Sequence, residues 1–233
     1  MVRPLCSRTL WLTFFLLFGW TGLLFAREET MTLAILSFRP PEEMRQQWQP
    51  LADYLTARLP GRRVQLLPLN AAEMEDAISH HGVDFLLTNP SHYIQVRQVH
   101  GIGNLLATLV LQQNNMPLSA FGGVIFALKE RSDLATLADL QGKSIVAVDD
   151  ISLGGFQAQA LELIHAGLRL PEDVRMWFTG LPHDRVVRAV LDGKADVGFV
   201  RTGIINAMVR EGTLDAQRIQ ILNLQALPGF PFA

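Results

Sequence analysis

The chain has 233 residues, 49% of them hydrophobic, and a formal net charge of −2. Such a chain can bury one large hydrophobic core or two smaller ones. No block of Lys and Arg is long enough to follow a phosphate backbone, so the composition argues against a nucleic-acid partner. Cys6 is the only cysteine, which excludes a disulfide framework, a thiolate zinc site and a cysteine nucleophile in the rest of the chain.

The N-terminus carries the pattern of an export signal. Arg3 and Arg8 precede an apolar run, Leu10 to Ala26, and the charged sequence REET follows it. A basic segment, an apolar segment and a small residue before charged residues are typical of a signal peptide. The run is also slightly shorter than the roughly 20 residues of a membrane span. Residues 1–26 are therefore expected to be either a cleaved signal or a retained inner-membrane anchor. The rest is expected in the periplasm, held to the membrane only through this segment.

Short apolar runs alternate with helical patterns in the first half of the chain. Strands are predicted at residues 31–38, 64–69 and 83–88. A helical pattern follows each strand, the first after Pro41, the second with Asn70 as N-cap, and the third opened by Pro90. Pro50 interrupts the apolar spacing of the first helix and predicts a kink or a restart there.

The alternation is interrupted once and then resumes. Residues 105–113 and 122–130 are predicted as two long strands around the polar turn 114–119, and they resemble a passage between two units. Further strands are predicted at residues 143–149, 174–179, 195–200 and 219–224. Further helices are predicted at residues 134–140, 154–167, 183–193 and 203–212. Strands that alternate with helices of about 10 residues predict parallel α/β sheets.

Several strand-to-helix turns are rich in polar residues or glycine. They are residues 88–93, 149–157, 179–184 and 200–203. In open α/β sheets, ligands bind beyond the carboxyl ends of the strands, where helix N-termini direct unpaired N–H groups outward. These turns therefore predict a site for a small anion. The candidate ligand-binding residues are Thr88, Asn89, Ser91, Tyr93, Ser152, Gly154, Gly155, His183 and Arg201.

Each of these turns also has a purely structural interpretation. Residues 88–91 fit an N-cap followed by a proline at the first helical position. Ser152, Gly154 and Gly155 fit a tight turn that needs positive φ. His183 fits an ordinary helix start, and Arg201 fits a helix cap or a partner for a carboxylate. The positions that the turns share, all after strands, favour the binding interpretation.

Sequence motifs of enzymes are absent. The chain contains no G-x-S-x-G nucleophile elbow, no phosphate-binding glycine loop and no dinucleotide glycine fingerprint. Its histidines also lack the spacing of metal ligands. We therefore expect a binding module without catalytic residues, cofactor or metal.

Five segments from about Met31 onward occur in the order found in a known family. They are WQPLADYL (48–55), VDFLLTNPSHYI (83–94), FGGVIFALKERSDLATLADLQGKSIVAVD (121–149), SLGGFQ (152–157) and DGKADVGFVRTG (192–203). In these segments the chain resembles periplasmic solute-binding proteins of the phosphate/phosphonate type. The resemblance implies the type II periplasmic binding fold, in which two α/β lobes joined by hinge strands close on a ligand.

The resemblance also implies a domain organisation. Residues 1–26 would be the signal or anchor, 27–112 the first lobe, 113–221 the second lobe, and 222–233 the start of a return to the first lobe. Because members of the family continue further, we expect the C-terminal part of the fold to be missing from this chain.

Within the family, FGGVIF, DDISLGGFQ and VRTG are similar to the sensor regions of histidine kinases of the tetrathionate-sensor type. Phosphonate carriers usually show Ser-Thr-Ser-Gly where this chain has residues 152–155, and they tend to place an acidic residue where Arg201 stands. An arginine suits a second negative group, which its planar fork can bind.

The resemblance thus implies the sensing module of a two-component system for a small anion, with a sulfur oxyanion among the candidates. A histidine kinase portion could follow in a longer protein. The alternative is the substrate-binding component of an ABC importer for phosphate- or phosphonate-like anions. The implied partner is a membrane signalling protein in the first case and an ABC permease in the second.

Overall fold

The computed structural model describes residues 29–103, 105–113, 116–223 and 230–231. The predicted export segment, residues 1–26, lies outside the described residues. Among the helices in the described ranges, none is long and apolar enough to cross a membrane.

The first lobe is a three-stranded parallel sheet with a helix after each strand. Its strands are β1 (Glu29–Leu36), β2 (Arg62–Leu69) and β3 (Phe85–Leu87), and its helices are α1 (Pro41–Arg58), α2 (Ala71–Ser79) and α3 (Pro90–His100). The strand order is β2-β1-β3, and both pairs are parallel. Parallel neighbours need a crossover connection, and the helix after each of the first two strands provides it.

The central strand β1 is buried on both faces. Leu33 and Ile35 pack in one core cluster with Met44 and Trp48 of α1. Ala34 and Leu36 pack in another, with residues of α2 and α3. Successive side chains of a strand point to opposite faces, so the continuous apolar run in β1 places helices on both sides of the sheet.

The passage between the lobes differs from the predicted pair of long strands. β4 (Leu111–Gln113) and β5 (Met116–Leu118) form a short antiparallel hairpin, and β6 (Ala120–Phe121) follows. The prediction of one strand over 105–113 is therefore wrong, and the predicted polar turn 114–119 contains β5. Leu106 is 79% exposed. The apolar residues before β4 have β-propensity but no neighbouring strand to pair with, and propensity alone does not form a strand.

The second lobe is a five-stranded sheet. Its strands are β7 (Gly123–Leu128), β8 (Ser144–Ala147), β9 (Arg175–Phe178), β10 (Val197–Arg201) and β11 (Ile219–Ile221). The order is β11-β7-β10-β8-β9, in which β10, β8 and β9 run parallel and β7 runs antiparallel to both of its neighbours. The predicted parallel arrangement is confirmed for the strands next to helices.

Helices cover both faces of this sheet. They are α4 (Ala158–His165), α5 (Asp184–Leu191) and α6 (Ile204–Arg210), with a π-helical turn (Leu153–Gln157) leading into α4 and 3-10 turns at Leu137–Leu140 and Ala216–Arg218. Phe126 and Val146 pack with α5 and α6 on one face, whereas Ile125 and Ile145 pack with α4 on the other. Finally, β12 (Phe230–Pro231) pairs antiparallel with β6, so two short strands run side by side where the chain passes between the lobes.

Two helix predictions need correction. The predicted helix 134–140 is only the 3-10 turn Leu137–Leu140, which Thr136 and Asp139 close with a capping box. Gly142 follows with φ +74° and ends the segment before a second turn can form. Of the predicted kink or restart at Pro50, the restart is wrong, because α1 is one continuous helix. Pro50 is exposed, so water can bond the carbonyl group whose helical donor the proline lacks.

Candidate functional site

A cavity of about 310 Å³ lies between the two lobes. Its wall contains residues at the ends of strands from both sheets: Ile35, Leu36, Leu87, Thr88, Val148, Asp149, Gly180 and Arg201. Aromatic and aliphatic side chains complete much of the wall: Phe38, Trp48, Leu109, Phe121, Ile151 and Leu181. The cavity thus lies where the sequence predicts a ligand, beyond the carboxyl ends of parallel strands. Its volume is near the lower end of the range for small-molecule pockets, roughly 300–1,000 Å³.

In the described part of the chain, four helices begin at this wall. Asn70 precedes α2, Asn89 precedes α3, Ser152 precedes the π-helical turn, and His183 precedes α5. Helix N-termini carry N–H groups without helical acceptors and the positive end of the helix dipole. Together they make the potential in the cavity favourable for an anion.

The predicted N-cap in residues 88–91 is confirmed, whereas the predicted tight turn with positive φ at residues 152–155 is wrong, because a π-helical turn begins there and neither Gly154 nor Gly155 has positive φ. The Asn89 side chain accepts a hydrogen bond from the backbone N–H of His92 at 2.9 Å, and Ser152 Oγ accepts one from Gly155 N at 3.2 Å. The prediction of Asn70 as an N-cap is confirmed in the same way, by Glu73 N at 2.9 Å. Each of these side chains uses one oxygen to accept a hydrogen bond from its helix. Other polar atoms at the helix start can still bind a ligand.

Arg201 places a guanidinium against two aromatic rings of the wall, and Arg185 is a second arginine of the wall. Its guanidinium carbon lies 4.1 Å from the centre of the Phe38 ring and 5.6 Å from that of Phe121. A guanidinium over an aromatic face is held by cation–π attraction. Burial, together with the nearby charge of Arg39, lowers the pKa of Arg201 to about 10, so the side chain remains charged at neutral pH.

His183 lies beside Arg201 and is 3% exposed. Burial lowers its pKa to about 3, and the positive charges of Arg201 and Arg39 act in the same direction. The ring is therefore neutral. Its Nδ1 accepts a hydrogen bond from the backbone N–H of Arg201 at 3.4 Å, which favours the tautomer with its proton on Nε2.

Thr88 enters the wall from the first lobe. Its hydroxyl oxygen is 2.8 Å from Nδ1 of His92, and both residues line the cavity. His92 is 2% exposed. Burial lowers its pKa, an effect that the carboxylate of Glu75 opposes.

The remaining candidates are not among the described residues that line the cavity. Ser91 Oγ donates a hydrogen bond to Gln157 Oε1 at 3.0 Å and so links the two lobes. The Tyr93 hydroxyl accepts one from Arg97 at 3.4 Å on an exposed part of α3. Gly155 leaves room for the site, because a Cβ there would lie 2.9 Å from Cε1 of His183.

Gly154 makes room in a similar way on the other side. A Cβ at Gly154 would lie 2.6 Å from the ring of Phe121 and 2.8 Å from Cγ of Arg201. Such distances are shorter than van der Waals contact, so glycine is needed for the arginine to lie against the two rings.

Several wall residues were not predicted from the sequence. Phe38 and Phe121 each lie at or next to a strand end and resemble ordinary core residues in the sequence. Asp149 is half-buried in the wall, and burial raises the pKa of its carboxyl group. The pair Asp149 and Asp150 directly after an apolar strand was the available signal for a titratable group at this position.

Among the described residues, no group of three or more His, Cys, Asp or Glu side chains is placed to hold a metal ion. The wall offers hydrogen-bond donors, one buried guanidinium and aromatic surface. This set suits noncovalent capture of a small solute.

Residues 33–233 match the profile of a family described as the periplasmic substrate-binding protein of the phosphonate ABC transporter. The chain belongs to this family. Members of the phosphonate-binding family are substrate-binding proteins and not enzymes.

Individual relatives agree with this assignment. The chain is 30% identical over 186 residues to the tetrathionate sensor histidine kinase TtrS of Salmonella typhimurium. The aligned residues cover 80% of this chain and 31% of TtrS. The chain therefore spans about a third of the length of this curated relative.

Two solved structures show the same fold. One is a binding protein component of an ABC phosphonate transporter from Pseudomonas aeruginosa, with a TM-score of 0.70, 13% identity, and coverage of 84% of this chain and 64% of that chain. The other is PhnD1 of Prochlorococcus marinus in complex with methylphosphonate, with a TM-score of 0.68, 14% identity, and coverage of 84% and 72%. The predicted type II periplasmic binding fold is confirmed.

The two lobes of this phosphonate-binding fold are in contact around the cavity. The backbone N–H of His183 donates to the carbonyl oxygen of Phe38 at 3.1 Å. The next residue, Arg39, reaches from the first lobe to two carboxylates of the second: its Nε is 2.8 Å from Asp184, and another guanidinium nitrogen is 2.6 Å from Glu211. Residues 38 and 39 therefore connect the wall of the cavity to the contact between the lobes.

Proposed function

We propose that the chain binds a small anionic solute in the cavity between its lobes, as the periplasmic sensing module of a two-component system. The observation that carries this proposal is the position of Arg201. A buried, charged guanidinium between two aromatic rings lies on the wall of a cavity towards which four helix N-termini point. An anion in this place gains from both the guanidinium and the helix dipoles.

The rest of the wall restricts the kind of anion. Most of the other wall residues are apolar, and one acidic side chain, Asp149, and one further basic side chain, Arg185, accompany Arg201. A strongly hydrated ion would lose more of its hydration than these groups replace. A sulfur oxyanion whose charged end meets Arg201 and whose weakly hydrated remainder meets Phe38 and Phe121 fits this surface.

The sensing role rests on similarity in sequence. The chain is similar to TtrS over 186 residues, and TtrS is a sensor histidine kinase. A second candidate is the substrate-binding component of an ABC importer for phosphate- or phosphonate-like anions, which the family profile favours. The reading frames next to the gene separate the two roles, because a kinase or response regulator supports sensing, whereas a permease and an ATPase support import.

Calorimetric titration of the full chain tests the binding proposal. Tetrathionate, sulfate, phosphate and methylphosphonate are titrated into the parent protein and into Arg201→Ala and Arg201→Lys. A charge-assisted hydrogen bond contributes roughly 1.5–3 kcal/mol, so Arg201→Ala should weaken binding at least ~10-fold, or about 1.4 kcal/mol. Arg201→Lys should recover only part of it, since the planar fork is lost.

Arg188→Ala is the matched control. Arg188 is an exposed arginine of α5 outside the cavity wall, so the control removes one positive charge from the same lobe without touching the site. Equal affinities of the parent and Arg201→Ala for every bound oxyanion would contradict the proposed role of Arg201. Binding of none of the oxyanions would contradict the anion proposal itself.

A further inference from the structure

A line of polar side chains leads away from the cavity into the first lobe. Thr88 lies on the cavity wall, with its hydroxyl oxygen 2.8 Å from Nδ1 of His92. On the other side of that ring, Nε2 of His92 is 3.7 Å from Oε1 of Glu75. The second carboxylate oxygen of Glu75 is bound by Nε2 of His100. A hydroxyl, an imidazole, a carboxylate and a second imidazole thus follow one another.

Two atoms in this line are buried without a hydrogen-bond partner among the described residues. They are Nε2 of His92 and Oε1 of Glu75, which face each other. Leaving a buried polar atom unsatisfied costs free energy. A proton on Nε2, directed at the carboxylate oxygen, satisfies both atoms after a small shift, whereas a bare Nε2 would place two acceptors against each other.

This arrangement determines what Thr88 offers to the cavity. A neutral imidazole carries one proton, so a proton on Nε2 leaves Nδ1 as an acceptor. The Thr88 hydroxyl must then donate its only proton to Nδ1, and only its lone pairs are left for the cavity. In this state Thr88 is an acceptor, which suits a ligand donor and repels an anion.

We infer that His92 is a positioning residue that sets the direction of the Thr88 hydroxyl, and that an anion in the cavity binds together with a proton on His92. When both ring nitrogens carry protons, Nδ1–H donates to the oxygen of Thr88 and Nε2–H donates to Glu75. The Thr88 O–H is then released towards the cavity as a donor for the anion. The inference rests on the proposed anion binding and adds proton linkage to it: affinity rises as the pH falls.

The charged groups around His92 agree with this direction. Glu75 of α2 stabilises the imidazolium, and it also binds His100 from the far end of α3. Burial lowers the pKa of His92, so the empty site holds a neutral ring at pH 7. A bound anion lies on the same side as Thr88 and raises the pKa of the ring by adding negative charge.

Other titratable groups on the cavity wall have to be separated from His92. His183, with a pKa of about 3, and Arg201, with a pKa of about 10, keep their charge states between pH 5 and 8. Arg185 also lies on the wall. Asp149 is different, because burial raises its pKa. A variant Asp149→Asn therefore has to accompany the experiment.

The first test needs no ligand. In the uniformly ¹⁵N-labelled full chain, long-range ¹H–¹⁵N correlation spectra report the tautomer of each of the six histidines. The signal of His92 is identified by its loss in His92→Gln. At pH 7 we expect the tautomer protonated on Nε2. A ring protonated on Nδ1 instead would overturn the inference, because Thr88 could then donate to the cavity without any further proton.

The second test measures linkage directly. Tetrathionate and sulfate, whose own charges do not change in this range, are titrated calorimetrically between pH 5.5 and 7.5 in two buffers with different ionisation heats. We expect uptake of close to one proton per bound anion and an affinity that rises up to ~10-fold per pH unit. Glu75→Gln, which keeps the size of a partly exposed side chain, should reduce this slope, and Asp149→Asn should retain it.

The outcomes of the two tests are distinct. A slope that is unchanged in both Glu75→Gln and His92→Gln, or one that is lost in Asp149→Asn, places the proton elsewhere and overturns the inference. If neither anion binds at any pH, the proposed function fails for these anions, and the tautomer of His92 still decides whether the ring positions the Thr88 hydroxyl as inferred.

Discussion

Arg39 is expected to control how firmly the two lobes hold each other. It lies in the first lobe directly after Phe38, and its guanidinium binds Asp184 and Glu211 of the second lobe through four hydrogen bonds of 2.6 to 3.2 Å. The side chains of Arg39 and Asp184 are 6% and 8% exposed, whereas that of Glu211 is 40% exposed. Although burial by itself lowers the pKa of Arg39, the bonds to Glu211 and Asp184 raise it above its usual value.

The change Arg39→Met removes the charge and keeps most of the length of the side chain. Asp184 then remains buried without its partner, a situation that costs about 3–5 kcal/mol. The half-exposed pair with Glu211 adds only about 0–1 kcal/mol. Because the cluster joins two lobes that have separate cores, we expect the loss to separate the lobes before it unfolds either of them.

Two measurements check this expectation. Small-angle scattering of ligand-free Arg39→Met should show a larger radius of gyration than the parent, and urea unfolding should show an earlier transition. The double variant Arg39→Met with Asp184→Asn should recover much of the loss, since no buried charge is left alone. Arg131→Met is the matched control, because Arg131 binds Asp133 and Asp196 within the second lobe.

The result that refutes this reasoning is specific. If Arg39→Met leaves both the radius of gyration and the urea transition unchanged, the cluster does not hold the lobes together. If the double variant is as unstable as Arg39→Met alone, the loss comes from packing of the arginine stem and not from the unpaired carboxylate of Asp184.

Two further predictions concern the cavity wall. Gly154→Ala should weaken anion binding at least ~10-fold, or about 1.4 kcal/mol, because the added Cβ would displace Phe121 or Arg201. Gly103→Ala is the control for the same titration, because a Cβ added there meets nothing within 4 Å. The second prediction concerns His183, whose pKa is lowered from 6.5 to about 3. Between these two pH values the unfolded chain binds a proton on this ring that the folded chain does not bind. The contribution of His183 to the free energy of unfolding is therefore complete above pH 6.5 and falls as the pH is lowered towards 3, by about 2 kcal/mol at pH 5. Urea unfolding at pH 7 and 5 should show a smaller loss of stability in His183→Asn than in the parent. An equal loss in the two proteins would contradict the lowered pKa of His183.

The position of the cavity could be predicted from the sequence because it follows from local rules. Thr88, Ser152 and Arg201 each come directly after an apolar strand or close to its end, and the carboxyl ends of parallel strands meet at one edge of a sheet. The same rules explain the capping roles of Asn89 and Ser152. For residues 88–91 the sequence leaves capping and binding as alternatives, yet an N-cap at the edge of a cavity has polar atoms for both.

The contacts across the cavity could not be predicted in this way. Phe38 and Arg201 are separated by most of the chain, and they meet only because the two lobes pack against each other around the cavity. Nothing in the local sequence of either residue indicates that packing. The failed strand prediction at 105–113 has a related cause, since a strand depends on a neighbour that its own residues do not specify.

The residues that line the cavity also hold the lobes together. Phe38 stacks on Arg201 and accepts a hydrogen bond from His183, so one residue of the first lobe touches the charged group of the site and the start of α5. A ligand shifts a conformational equilibrium only by the difference in its affinity for the two states. An anion that bound both Thr88 of one lobe and Arg201 of the other would have a higher affinity for the closed state. Separating the lobes would remove one of its two partners. We therefore expect binding at the cavity and closure of the lobes to depend on the same contacts, and the ion pairs of Arg39 to set how much of the closure exists before a ligand binds.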